Sequence, residues 1–219
     1  MLCDLKELVR KYNLSINHIL QIGAHVGTEL VVYDELLVER VLMFEPVPTT
    51  FKILEERVKN WARNCPKKIL LANVALGNVN NEVSMYIEKN NESMSSSLLK
   101  PKLHLEQYEW IKFHDSDKIT VQQCRLDDYL SSIEDSDKFD FINIDVQGYE
   151  LEVLKGAPNT LKNIQAIYSE VNRAELYDDC CLVDEMDGFL GEHGFERVET
   201  NWEGISWGDA LYIRKNNEN

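Results

Sequence analysis

The sequence predicts an α/β fold: a mainly parallel sheet with one antiparallel strand near its end and helices on both faces. Three observations carry this. Strand-length apolar runs alternate with helix-period stretches five times along the chain. Several of these runs are apolar at consecutive residues, as strands buried on both faces are. The last two strand-like stretches, 195–200 and 207–214, follow each other with no long helix between them, which suits an antiparallel closure.

The elements read as follows. Residues 2–13 put Leu2, Leu5, Leu8, Val9 and Tyr12 on one helical face, a leading helix over the sheet or over a pocket. A strand at 18–22 runs into the glycine loop 23–27. A helix then opens at Thr28 and Glu29, with Leu30, Tyr33 and Leu37 on one side. The strand at 40–44 ends at Glu45-Pro46. Pro46 and Pro48 stop it, and Thr49 or Thr50 caps a helix with Phe51, Leu54, Val58 and Trp61 inward. A third strand spans 68–76. Residues 82–88 alternate Val83, Met85 and Ile87 with polar neighbours, as a half-exposed antiparallel strand does. Residues 89–118 have no clear period and read as a functional lid or a mobile linker inserted in a single domain, 1–219.

A strand at 119–124 and a short helix at 126–130 come next. Residues 139–144 are apolar and rich in β-branched and aromatic types, a buried central strand. After Asp145 a loop through Gln147 and Gly148 leads to a helix with Leu151, Leu154, Ala157 and Leu161 at helical spacing. Residues 164–171 form another buried strand. Residues 182–193 form a helix with Val183, Met186, Phe189 and Leu190 inward, closed by Gly194.

The chain has 219 residues, a formal net charge of −15 and a pI near 4.7. That charge argues against a nucleic-acid backbone or an anionic membrane as the main partner. Five cysteines, at 3, 65, 124, 180 and 181, form no C-x-x-C motif. Free thiols in a reducing, cytoplasmic setting are expected. No apolar run approaches ~18 residues, so no membrane-spanning helix is expected.

The chemistry gathers at strand ends. Gly23 and Gly27 are spaced G-x-x-x-G, short of the full dinucleotide fingerprint; they relax the backbone for a tight turn or a ligand. Glu45 follows about 20 residues on, where a carboxylate accepts both hydroxyls of a ribose. Asn73 stands near the third strand end, facing an adenine edge or capping a turn. Together these outline an adenosine site and leave open NAD, a nucleoside phosphate or S-adenosylmethionine. Asp145 ends the central strand, where open α/β sheets place their ligands. Glu170 ends the next strand. Two carboxylates suit a divalent cation, but no third ligand is visible, so no metal is expected. His104 and His114 read as surface histidines. Tyr108, Trp110 and Phe113 either pack a lid or stack on a sugar ring.

The segments IGAHVG (22–27), FEPVPTTFKIL (44–54), NVALG (73–77), SSSL (95–98), RLDDYL (125–130) and above all IDVQGYELEVLKGA (144–157) resemble the FkbM family of S-adenosylmethionine-dependent methyltransferases. The resemblance covers about 18–215. It implies a class I methyltransferase fold: seven strands in the order 3-2-1-4-5-7-6, the seventh antiparallel. It implies S-adenosyl-L-methionine as cofactor and O-methylation of a hydroxyl on a sugar, polyketide or other small-molecule or glycan acceptor. In that reading Glu45 holds the ribose and Gly23, Ala24, His25 and Gly27 the methionine part. Asn73 and Val74 hold the adenine, Pro46 belongs to the same cofactor site, Asp145 serves the reacting end with Glu170 as a second acid, and Gln147 binds the acceptor or shapes the turn. Gln21 stands where many members carry an acid, and as an amide it can still bond the methionine ammonium. His25 stands where Asn is common; it touches the methionine carboxylate or caps its turn. Asp145 is either the general base or an orienting group. The rivals are an NAD-dependent oxidoreductase or epimerase and a catalytically silent interaction module. The missing G-x-G-x-x-G and Tyr-x-x-x-Lys speak against the first, and Glu45 with Asp145 against the second.

Overall fold

A computed structural model of the chain describes residues 2, 4–62, 68–108 and 110–215. Cys3, Cys65 and the tail beyond Lys215 lie outside the described residues. Five parallel strands come first in the main sheet: β1 (His18–Ile22), β2 (Arg40–Phe44), β3 (Lys68–Ala72), β7 (Phe141–Ile144) and β8 (Ala166–Asn172). The closing strands are β9 (Phe195–Glu203) and β10 (Trp207–Arg214). β10 runs antiparallel to both β8 and β9. The order is β3-β2-β1-β7-β8-β10-β9, the seven-stranded arrangement that the family resemblance implies.

Alternation along the strands feeds two cores. Leu20, Ile22 and Ile142 face one layer with α5 (Leu126–Leu130), α6 (Glu150–Lys155) and α7 (Val183–Glu192). Ile19, Val41 and Phe141 face the other with α1 (Leu5–Lys11), α2 (Leu30–Glu35) and α3 (Pro48–Ala62). No helix among the described residues is long and apolar enough to cross a membrane.

Several boundaries differ from the sequence reading, each for a local reason. The run 68–76 is two strands, not one. After Ala72 the chain leaves the main sheet, and β4 (Ala75–Leu76) joins a second sheet, β4-β6-β5, with β6 (Ile119–Cys124) and β5 (Asn81–Met85). Neither Thr49 nor Thr50 caps α3. Pro48 takes the first helical position, where its missing N–H costs nothing, and Phe51 N–H bonds the Val47 carbonyl at 2.8 Å. Leu37 does not face inward. α2 has ended by then, and Leu37 sits at φ 59° in the turn to β2, 80% exposed. α6 stops at Lys155 because Pro158 cannot continue it; Ala157 N–H closes onto the Leu154 carbonyl instead. Ala157 and Leu161 are still buried, but outside the helix. The strand expected at 195–200 continues to Glu203.

The insertion is a docked wall, not a loose linker. Its helix α4 (Leu103–Gln107) is tied to the loop after β8. Lys102 and His104 amides donate to the Leu176 carbonyl at 2.9 and 3.2 Å, and Asp178 N–H donates to the Lys100 carbonyl at 2.7 Å. Trp207 Nε1–H donates to the Tyr108 hydroxyl at 2.9 Å.

Gly23 shows how closely the strand ends meet. At φ +79° a Cβ on it would lie 1.8 Å from the Asp145 carbonyl oxygen. Gly27, at φ +74°, would press its Cβ to 2.6 Å from Leu54 Cδ1. Both glycines are demanded by neighbouring chain rather than by a ligand. Gly188, exposed within α7, meets nothing within 4 Å. Gly23→Ala is therefore expected to destabilise by about 3 kcal/mol. Gly188→Ala is expected to stabilise by about 1 kcal/mol. Urea midpoints of the two variants check both signs.

Candidate active site

A cavity of about 440 Å3 opens at the carboxyl ends of β1, β2, β7 and β8. Gly23, His25, Glu45, Pro46, Asp145, Gln147 and Glu170 line it, so most of the residues singled out in the sequence converge there. A smaller, mostly apolar cleft adjoins it. Ile22, Phe44, Pro46, Val74 and Tyr149 form its walls.

Glu45 is 5% exposed. One carboxylate oxygen accepts the His25 N–H and the other the Val47 N–H, both at 2.9 Å. Burial pushes its pKa up, and the two amides pull it back. Each oxygen keeps a further lone pair for a ligand hydroxyl. The His25 ring reaches the Glu92 carbonyl at 2.7 Å and so joins the glycine loop to the insertion.

Four expected contacts are displaced. Gln21 lies within the sheet on the α2 side, where its carbonyl accepts the Tyr33 hydroxyl, and Tyr33 in turn accepts from Asn143 at 2.6 Å. It does not line either cavity. Ala24 is fully buried, and its amide, like that of Gly23, donates to the Phe44 carbonyl. Gly27 faces Leu54. Asn73 spends its amide protons on the Glu45 and Pro46 carbonyls, at 2.8 and 3.1 Å, and steadies the two strand ends rather than facing an adenine.

The reacting end is a carboxylate cluster held by one amide. Gln147 Nε2 donates to Asp145 Oδ1 at 2.8 Å and to Glu170 Oε2 at 2.9 Å. The Tyr177 hydroxyl lies 2.9 Å from Gln147 Oε1 and 3.0 Å from the Ser95 carbonyl, either of which accepts its single proton. Ser97 Oγ donates to the Gln147 carbonyl at 2.7 Å. Ser95 and Ser97 are therefore buried supports of this turn. The sequence showed no third acid, but the fold supplies Glu150. Oxygens of Asp145, Glu150 and Glu170 lie within 4.8 Å of one another. Glu150 Oε1 also accepts the Val146 and Gly148 amides at 2.9 and 3.1 Å.

This cluster shifts its own titration. Burial, with the Asp145 charge adding to it, pushes Glu150 up to about 7. Burial pushes Glu170 well above the usual carboxylate range, and the neighbouring charges of Asp145, Glu150 and Asp209 add to that. The leading segment closes this end of the sheet, where the Leu2 amide donates to the Asp209 carboxylate.

The profile of the methyltransferase FkbM domain matches residues 21–197. The chain belongs to that family. It is 30% identical over 166 residues to the 2-O-methyltransferase NoeI of Sinorhizobium fredii, covering 73% of this chain and 65% of NoeI. Its fold resembles that of methyltransferase FkbM from Methylobacillus flagellatus KT, with TM-score 0.62 and 17% identity over 93% of this chain and 46% of that one. It also resembles magnesium protoporphyrin IX methyltransferase ChlM of Synechocystis PCC 6803, solved with bound SAM, with TM-score 0.55 and 10% identity over 96% and 76% of the two chains. The chain therefore spans less than two thirds of NoeI and less than half of the M. flagellatus protein.

This FkbM-family site also holds residues that sequence patterns did not reveal. His104, expected at the surface, is 6% exposed and lines the larger cavity. Tyr149, Glu150 and Tyr177 join through contacts distant in sequence or outside any period. The described cysteines, 124, 180 and 181, are free, and burial pushes all three thiols up.

In the FkbM-family cluster the folded state holds protons that the unfolded chain releases. Between 4.5 and about 7, where Glu150 titrates unfolded and folded, the native state binds more protons. Stability is thus expected to fall as pH rises through this window. Glu170→Gln should flatten the decline, since it removes one carboxyl whose folded pKa is raised. Urea unfolding at a series of pH values, with EDTA present, measures the slope.

Proposed function

We propose that this chain is an S-adenosylmethionine-dependent methyltransferase that acts on a hydroxyl of a sugar, glycoside or other small-molecule acceptor in the cytoplasm. The observation that carries the reading is that Glu45 and Asp145, at the ends of the strands flanking β1, line one cavity beside the Gly23 loop.

The residues present fit the cofactor. Glu45 is buried, pre-oriented by two amides, and has lone pairs free for a ribose diol. The cleft walled by Phe44, Pro46, Val74 and Tyr149 is apolar, as an adenine face requires, and at about 30 Å3 it must widen to admit the ring. Gly23 and His25 border the space left for the methionine part. When bound, the cofactor supplies a methyl group already activated on a sulfonium.

The chain's own task is then alignment and proton transfer. Gln147 fixes Asp145 through Oδ1, which leaves Oδ2 for the acceptor hydroxyl. Burial favours the protonated form of Glu170, and the open Oδ2 of Asp145 is the place for the proton the acceptor loses. The insertion supplies one wall of the cavity through Ser93, Ser95, His104 and Trp110. The NoeI relative is named for 2-O-methylation, which supports a hydroxyl acceptor.

Calorimetry with S-adenosylhomocysteine tests the cofactor half. Glu45→Ala is expected to weaken binding by roughly 100-fold, the worth of two hydrogen bonds to a charged group. Asp145→Asn should keep that affinity yet lose about 100-fold or more in turnover, the contribution of a general base. Turnover is read as S-adenosylhomocysteine release over a panel of sugars and small alcohols. Unchanged affinity in the Glu45 variant would sink the site assignment.

A further inference from the structure

We propose that His104 is the hydrogen-bonding contact for the methyl acceptor, engaging a second polar group of the molecule whose hydroxyl Asp145 receives. This rests on the reading above that the cavity holds a hydroxyl acceptor. Its test is arranged to separate the two.

His104 is 6% exposed, and neither ring nitrogen has a hydrogen-bond partner among the described residues. Such a pairing of burial and unmet polarity is rare in native proteins, because the ring loses its water contacts and gains none in return. Packing does not explain it. The ring is stacked on Tyr177, centroids 5.3 Å apart at 24°, and meets Phe113 at 6.5 Å and 69° and Tyr108 at 5.1 Å. A phenylalanine would satisfy those aromatic contacts without leaving two nitrogens bare.

The ring does border one open space. His104 lines the same cavity as Asp145, Gln147 and Glu170. The ring is also held firmly enough to recognise something. Its own amide is bonded to Leu176, Tyr108 is tethered to Trp207, and the Tyr177 hydroxyl is bonded into the Gln147 turn. One tyrosine ring and one side-chain amide separate His104 from the carboxylates. An acceptor that reaches both therefore carries at least two polar groups.

The chemistry of the cavity selects further. Burial lowers the His104 pKa to about 4, so the imidazole is neutral at pH 7 and offers one donor and one acceptor. A hydroxyl matches both. Glu29, Asp145 and Glu203 share the lining and disfavour an anionic acceptor group. The favoured acceptor is a neutral molecule with several hydroxyls.

The test uses the full chain labelled with 15N in its histidine rings and first titrated with S-adenosylhomocysteine. No binding there would overturn the cofactor assignment and this proposal with it. The loaded protein is then titrated with methyl glucoside, methyl galactoside and methyl mannoside. At least one sugar is expected to shift the His104 ring nitrogens. Its dissociation constant should rise at least tenfold in His104→Phe, while S-adenosylhomocysteine affinity changes less than twofold. The phenylalanine variant should melt no lower than wild type. Equal sugar affinity in the two proteins, or His104 nitrogens that no sugar moves, would overturn the proposal and leave the cofactor assignment standing.

Discussion

One side-chain amide organises the reacting end of this molecule. Gln147 Nε2 stands between Asp145 and Glu170 and donates to both. Two carboxyl groups brought together in a buried site repel when ionised and are costly to strip of water. The amide supplies a donor to each, and burial shifts Glu170 toward its uncharged form. Gln147 needs an unusual backbone to do this, φ 59° for a residue with a side chain. Its surroundings enforce that shape. Ser97 bonds its carbonyl, Tyr177 approaches its side-chain oxygen, and Gly148 follows at φ +96° with no room for a Cβ beside Cys180.

From that turn the constraint spreads outward. Asp145 lies against Gly23, and its amide donates to the Ile22 carbonyl at 3.0 Å, which joins the ends of β7 and β1. The Gly23 and Ala24 amides bond the last carbonyl of β2, which places Glu45 beside the same loop. Glu45 in turn accepts the amide before α3 and the His25 amide. Three neighbouring strand ends are thus joined through backbone contacts, and the carboxylates of two of them, Glu45 and Asp145, share one cavity. The insertion completes the wall because Ser95, Ser97 and Tyr177 tie it to the Gln147 turn. Rigidity here serves the proposed chemistry, since methyl transfer to a hydroxyl depends chiefly on alignment.

The sequence made the parts built by local pattern legible. Apolar runs marked β1, β2, β7 and β8, and the carboxylates that follow them fell at the cavity. Helix faces such as Leu54 and Val58 also held. Contacts made across the fold left no such trace. Gly23 and Gly27 look like a ligand loop, yet Asp145 and Leu54 are what exclude a side chain there. Asn73 and Gln21 look like binding residues, yet backbone carbonyls and Tyr33 occupy them. His104 looks like a surface histidine because its cage closes only when Tyr177, distant in the sequence, stacks against it. Residues 89–118 look irregular because they are ordered by the loop after β8 rather than by their own period. The second sheet was hidden for the same reason, since β4 has two residues and exists only by pairing with β6.

A crystal structure with S-adenosylhomocysteine tests the central claim most directly. The account predicts ribose hydroxyls within hydrogen-bond distance of the Glu45 carboxylate, the adenine between Pro46, Val74 and Tyr149, and the sulfur end directed toward Asp145. Difference density for the nucleoside elsewhere, or a ribose that leaves Glu45 untouched, would contradict it.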